Sequence, residues 1–169
     1  MPTLELLSAG HAPAVLEFEL ANRAFFATSI SDRGDDFFKH FADRHSELLA
    51  EQAAGVRASY VLVDDDGSVL GRFNLAEIKD GTAELGYRVA ERATGRGVAT
   101  AAVLELCLLA YSRHGIRTLR AATSAANAAS RRVLAKTGFV PVGPADPAEI
   151  GGQPGGTWYE RHLTGTSGA

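Results

Sequence analysis

Two glycines one residue apart, Gly95 and Gly97, stand between a strand-like run, AELGYRV at residues 83–89, and a long apolar run that begins at Val98. No other feature restricts the fold as much. A strand that turns through two glycines into a helix leaves bare backbone and a row of unpaired amide N–H groups at one point. Such a point suits an anion, because the main chain can be approached without side-chain clash and the helix start carries partial positive charge. Two common uses of the device fit poorly. A Walker A loop needs Gly-Lys-Ser/Thr, whereas Gly97 is followed by Val98, Ala99 and Thr100. A dinucleotide fingerprint needs glycine or alanine where Thr100 stands and an acid at the end of the next strand, where LRAATS has none. By spacing alone, the glycines also suit a plain turn into a helix.

The rest of the chain predicts a mixed α/β (α+β) domain. Residues 3–7 alternate as a first strand, and residues 11–28 and 37–54 carry apolar side chains at helical spacing. The polar connector SISDRGDD offers Asp35 or Asp36 as a cap for the second helix. From residue 58, three β-rich runs separated by DDDG and KDG predict an antiparallel meander with tight hairpins. A helix over residues 97–113 is stopped by His114 and Gly115, and IRTLRAAT reads as the next strand. Residues 127–137 form another helix, capped near Ala126 or Asn127 and closed by Gly138. FVPVG and TWYERHL complete the strands. Between them GPADPAEIGGQPGG, rich in proline and glycine, reads as an exposed mobile loop, and residues 165–169 as a disordered tail behind a domain of residues 1–164.

At 169 residues one domain suffices, and the net charge of -3 with no basic block argues against a nucleic-acid partner. No apolar run approaches the ~20 residues that span a bilayer, so the expectation is a cytoplasmic protein without membrane association. Cys107 lies in VLELCLLAY and reads as core. Asp64, Asp65 and Asp66 beside Gly67 read as a solvated turn. The histidines His11, His40, His45, His114 and His162 match no metal-ligand spacing and read as surface or capping groups, with His114 complementing a helix dipole, so no metal is expected. Gly-x-Ser-x-Gly is absent, which leaves nucleophilic triad chemistry without support.

Three runs in order, AELGYRV, RATGRGVAT and, about 30 residues later, NAASRRVLAKTGF, resemble the GNAT superfamily of acyl-CoA-dependent N-acetyltransferases over residues 83–139. Its phosphate-loop pattern R/Q-x-x-G-x-G/A is matched by Arg92, Gly95 and Gly97. The pattern AN-x-x-S-x-x-x-L-x-K-x-GF is similar to the ribosomal-protein alanine acetyltransferase branch, while the first 80 residues match in element order alone. The resemblance implies a mostly antiparallel central sheet that splays open, helices on both faces, and acetyl-CoA as cosubstrate.

It further implies that the pantetheine arm pairs with the strand edge at Tyr87, Arg88 and Val89. The pyrophosphate then meets the main chain at Thr94, Gly95, Arg96, Gly97, Val98, Ala99 and Thr100, with Arg92 or Arg96 offsetting its charge. Asn127 falls beside the pantetheine or caps the helix, and Ser130 falls near the departing sulfur, where an aliphatic hydroxyl is better suited to stabilising thiolate than to giving up a proton. Glu84 is the general-base candidate, directly or through water, or else an exposed strand acid.

Family position assigns the acceptor channel to Phe25, Phe26, Arg33, Asp35, Asp36 and residues 145–156. Core packing suits the phenylalanines as well, and helix capping the aspartates. The acceptor is a primary amine. At pH 7 freeing an α-amine costs about 1 kcal/mol and a lysine about 4.6 kcal/mol, so one carboxylate base suits a protein N-terminus best. A small amine such as an antibiotic, a polyamine or an amino-acid derivative is the alternative acceptor, and a non-catalytic acyl-CoA sensor the alternative of another class. The oligomer is a monomer or a homodimer.

Overall fold

A computed structural model describes residues 1–150 and 152–165. Seven strands form one sheet in the order β1-β2-β3-β4-β5-β7-β6. They are β1 (Thr3–Leu6), β2 (Ala58–Val63), β3 (Val69–Lys79), β4 (Thr82–Val89), β5 (Thr118–Ser124), β6 (Val140–Ala145) and β7 (Gly156–His162). Every pairing is antiparallel except β4 with β5. The meander β2-β3-β4 turns where the sequence predicts: Asp80 and Gly81 hold φ of 52° and 77°, the two positive angles of a tight hairpin.

Among the described residues six α-helices flank the sheet: α1 (Ala12–Ala21), α2 (Arg23–Phe26), α3 (Asp35–Lys39), α4 (Phe41–Ala53), α5 (Val98–His114) and α6 (Ala128–Lys136). The alternation of strand side chains builds a separate core on each side. On one face Phe73, Leu75, Leu85 and Leu119 pack with Val103, Leu106 and Ala110 of α5 and Leu134 of α6, and Cys107 is buried there as predicted. On the other, Val61, Val69 and Ala90 pack with Val15, Phe18, Phe26 and Leu48.

Several local expectations change. The run 11–28 is broken at Asn22, whose side-chain amide donates to the Phe18 carbonyl (2.9 Å) and competes with the helical backbone. The run 37–54 is broken at His40. Neither Asp35 nor Asp36 is the N-cap of α3; Gly34, at φ 85°, holds that position and both acids lie inside the first turn. The segment 143–156 is not a bare loop. β6 runs to Ala145, a 3-10 turn spans Pro147–Ile150 with Ile150 buried, and Glu149 accepts hydrogen bonds from the Asp146 amide (2.8 Å) and Trp158 Nε1 (3.0 Å). Residue 151 of that segment, and residues 166–169 of the predicted tail, lie outside the described residues.

His45 is buried rather than on the surface, bonded through Nε2 to the Ser8 carbonyl (2.9 Å). His114 ends α5 as predicted, but its Nε2 lies 2.8 Å from the Tyr60 hydroxyl, and burial with Arg113 nearby holds its pKa below the ordinary histidine value. It is a neutral partner of Tyr60 rather than a cation on the helix dipole. No helix among the described residues is long and apolar enough to cross a membrane.

Candidate active site

β4 pairs with β3 from Thr82 to Val89 with one irregularity opposite Ala76–Lys79, but with β5 only through Thr82↔Thr118, Ala83↔Leu119 and Glu84↔Arg120. β5 meanwhile stays paired with β7 from Thr118 to Ser124. Beyond the Glu84 and Arg120 pair, therefore, β4 and β5 part, and residues 85–89 present an unpaired edge to a widening cleft. The splay predicted for the sheet is present, and Glu84 stands at its apex.

The open edge leads straight into the glycine junction. After β4 comes a 3-10 turn at Glu91–Ala93, then Gly95 and Gly97 at φ 73° and 72°. Both are left-handed, which a residue with a Cβ adopts only at a cost. Gly97 is the N-cap of the 17-residue α5 and offers no side chain to its amides. The first helical bond from this end is Ala101 N–H to the Gly97 carbonyl, so the amides of Val98, Ala99 and Thr100 have no helical acceptor. With the macrodipole of α5 behind them, they form a ready seat for an anion. Arg92 reaches back to Ser68 Oγ (2.7 Å) and Asp64 (3.6 Å), tying the loop to the β2-β3 hairpin, and Arg96 folds onto the Arg92 carbonyl (3.2 Å). The Thr94 hydroxyl donates to the Glu91 carbonyl, which tightens the turn.

The other wall of the cleft is the start of α6. Asn127 is its N-cap, and its Oδ1 accepts the Ser130 amide (3.2 Å). Capping thus accounts for its carbonyl oxygen. Ser130 Oγ accepts a hydrogen bond from the Tyr87 hydroxyl at 3.5 Å, across from β4. Tyr87 stacks on Phe73 (centroids 5.6 Å apart, 15° between planes), and burial raises its pKa, which keeps the phenol protonated. The resemblance implicates only the backbone of Tyr87; its side chain also reaches α6 across the cleft.

Alternation turns Glu84, Gly86 and Arg88 to the opposite face of β4 from Leu85, Tyr87 and Val89. Glu84 lines a groove of about 420 Å³ with Val56, Glu77, Ile78 and Arg120. Burial, then the Glu77 carboxylate and its hydrogen bond, push the Glu84 carboxyl above the ordinary value, opposed by Arg120. Glu77 reaches the groove because β3 is irregular between Ala76 and Lys79, where Glu77 takes a φ of 50°. Such a bulge re-aims a side chain that a regular strand would send to the other face. Arg120 also meets Glu160 (3.3 Å) and lies over the Trp158 ring (4.3 Å).

The remaining predicted side chains point elsewhere. Arg88 does not pair with Glu84; its guanidinium meets Glu19 (3.3 Å) and lies 4.8 Å from the Phe26 centroid. Glu19, 1 % exposed, also receives Arg33 (2.9 Å) and Arg72 (2.8 Å). Burial opposes its charge, but the three guanidiniums hold its carboxyl below the usual range, while burial and crowding by Arg33 push Arg88 down to about 10. No periodic signal marked Glu19, since its partners stand 14, 53 and 69 residues away in the chain. Phe26 is buried against Phe18 and Arg88. With Glu19, Arg33 and Arg88 it borders a recess of only about 10 Å³, room for one water and not for an acceptor. Asp35, with a side chain 96 % exposed, pairs with Arg23 (2.8 Å) on the outer surface.

The profile of the acetyltransferase (GNAT) domain matches residues 3–140. Among solved structures the chain is similar to a ribosomal-protein-S5-alanine acetyltransferase from Vibrio fischeri, with 20 % identity, a TM-score of 0.86 and coverage of 95 % of this chain and 92 % of that one. It is likewise similar to Mycobacterium smegmatis RimJ in complex with CoA-disulfide, with 22 % identity, a TM-score of 0.81 and coverage of 96 % and 86 %. A spermidine N-acetyltransferase, SpeG, from Vibrio cholerae gives 15 % identity, a TM-score of 0.75 and coverage of 95 % and 93 %. No curated protein matches by sequence. With a splayed sheet, a glycine turn into a helix and a family match over most of its length, the chain belongs to the GNAT acetyltransferase family.

Proposed function

We propose that this acetyltransferase moves the acetyl group of acetyl-CoA onto the α-amine of a protein N-terminus, in the cytoplasm, by direct attack within a ternary complex. The observation that carries the reading is the parting of β4 and β5 beyond Glu84↔Arg120, with a carboxylate on one side of β4 and a hydroxyl pair on the other. In this reading the edge at Tyr87, Arg88 and Val89 receives the pantetheine as an added strand. The amides from Thr94 to Thr100 hold the pyrophosphate, and Asn127 keeps the α6 end of the cleft in place while turning its NH2 donors to the pantetheine.

The acceptor amine arrives through the groove on the Glu84 side. Glu84, poised nearer neutrality by burial and by Glu77, takes the proton that the nitrogen loses as the C–N bond forms, directly or through water. The C–S bond breaks on the other side of the strand, where Ser130 donates to the developing thiolate. One such base matches the small cost of freeing an α-amine. The likeness to a ribosomal-protein-S5-alanine acetyltransferase supports this acceptor class.

A second reading has one observation in its favour: Glu77, Glu84 and Glu149 crowd one electrostatic neighbourhood, which also suits a polycationic small amine. The test is incubation with acetyl-CoA and a panel of N-terminal peptides, polyamines and aminoglycosides, reading thiol release and product mass together. Acetylated peptide α-amines support the proposal; acetylated small amines alone replace its acceptor; thiol release with no acetylated product rejects both acceptor classes.

A further inference from the structure

The mechanism above leaves a proton unaccounted for. A departing thiolate must be neutralised, and the hydroxyl nearest the cleft, Ser130, is an aliphatic alcohol and a poor acid. A phenol, even one whose pKa burial raises, is closer in acidity to a thiol than an aliphatic alcohol is. The phenol is present: Tyr87 directs its O–H at Ser130 Oγ over 3.5 Å. The ring is fixed by its stack on Phe73 and by packing against the core beneath α5 and α6, so the donor direction is set before any ligand arrives.

We propose that Tyr87 is the proton source for the leaving thiolate, with Ser130 as the relay. The inference rests on the acetyl-transfer reading above. As the amine nitrogen bonds to the acetyl carbon and the C–S bond breaks, the sulfur takes the Ser130 hydroxyl proton and Ser130 takes the Tyr87 phenol proton. The proton lost by nitrogen goes to Glu84 and from there to solvent. Tyr87 regains one from solvent when the products leave, so amine plus thioester gives amide plus thiol with no proton left over. Tyr87 acts through Ser130, and is a positioning residue in that sense. Its hydroxyl both orients the serine hydrogen outward and replaces it. Burial keeps the phenol in its donor form through neutral pH.

The test compares Tyr87→Phe and Ser130→Ala with the unaltered enzyme, using acetyl-CoA and its selenoester analogue, whose selenolate departs without needing a proton. Tyr87→Phe retains the ring stack. With acetyl-CoA we expect kcat to fall about 10²-fold, the scale of one general acid, while KM for acetyl-CoA changes less than about threefold. With the selenoester the loss should shrink to within about threefold for both variants. A structural role for the hydroxyl predicts equal losses with both donors, and that result overturns the proposal, as does an unchanged kcat in Tyr87→Phe. Absence of any acetyl transfer by the unaltered enzyme would instead reject the reading on which the inference rests.

Discussion

Glu84 on β4 and Arg120 on β5 are the last residues paired across the parallel seam, and the sheet opens immediately beyond them. The pairing fixes where the proposed base stands relative to the cleft. Arg120, itself engaged with Glu160 and Trp158, lowers the Glu84 carboxyl, but burial and Glu77 raise it more. Glu84→Gln should therefore lower kcat by about 10²-fold at neutral pH and remove the part of the acidic limb of the rate profile that belongs to this carboxyl. Peptide acetylation measured across pH checks both.

The same shift makes a prediction about stability. A carboxyl whose folded pKa exceeds its unfolded value contributes stability that is present below the unfolded pKa and lost as pH rises through the folded one. Glu84→Gln should accordingly match the unaltered protein in acid and gain on it toward neutral pH. Thermal denaturation at a series of pH values reads the difference; a gain confined to acid pH would contradict the assigned direction.

Gly97 separates cofactor binding from fold. At φ 72° a β-branched residue is strained, typically by ~1–3 kcal/mol. Gly97→Val should weaken CoA binding at least about tenfold, since a shift of about 1.4 kcal/mol is tenfold in affinity. Gly55 has a similar φ of 77° just after α4, outside the turn from Thr94 to Thr100. Gly55→Ala should lower the melting temperature and leave CoA affinity unchanged. Titration calorimetry and thermal melts on the two variants distinguish strain from lost contacts.

Asn127 carries two assignments that substitution can part. Asn127→Ala removes the cap on the Ser130 amide and should cost about 1 kcal/mol of stability. Asn127→Asp keeps the capping oxygen but loses the amide donors, and should retain stability while binding CoA several-fold more weakly. Equal CoA affinity in Asn127→Asp would leave Asn127 as a cap alone.

Glu19 binds three guanidiniums, so its removal strands charge in a buried place. Glu19→Ala should destabilise the protein by about 3–5 kcal/mol. Its folded pKa is lowered, so the stability it contributes is present above the unfolded value and is lost as pH falls through the folded one. Chemical denaturation at neutral and acid pH should show the gap between Glu19→Ala and the unaltered protein narrowing in acid.

Much of this arrangement is legible in the chain because it is written locally. Hairpins announce themselves in DDDG and KDG, α5 in the glycines before it and Gly115 after it, and the cap of α6 in Asn127. The parts that escape depend on partners far away in sequence. Glu19 reads as one more polar residue in a helix until Arg72 and Arg88 arrive from two strands. Glu77 sits in a run that alternates well enough to pass for regular strand, and only its φ of 50° brings it beside Glu84. Tyr87 reads as a strand aromatic suited to backbone pairing, since its hydroxyl partner comes from α6, 43 residues on. The breaks at Asn22 and His40 leave the apolar spacing intact, and so leave no trace in periodicity.

Main-chain amides at the open end of the sheet are proposed to grip the cofactor. Hydrogen–deuterium exchange with and without coenzyme A reads those amides directly. Slowed exchange is expected across residues 85–100 and at the start of α6, strongest at Val98, Ala99 and Thr100. Coenzyme A that binds while exchange there stays unchanged, with protection confined to another part of the chain, would contradict it.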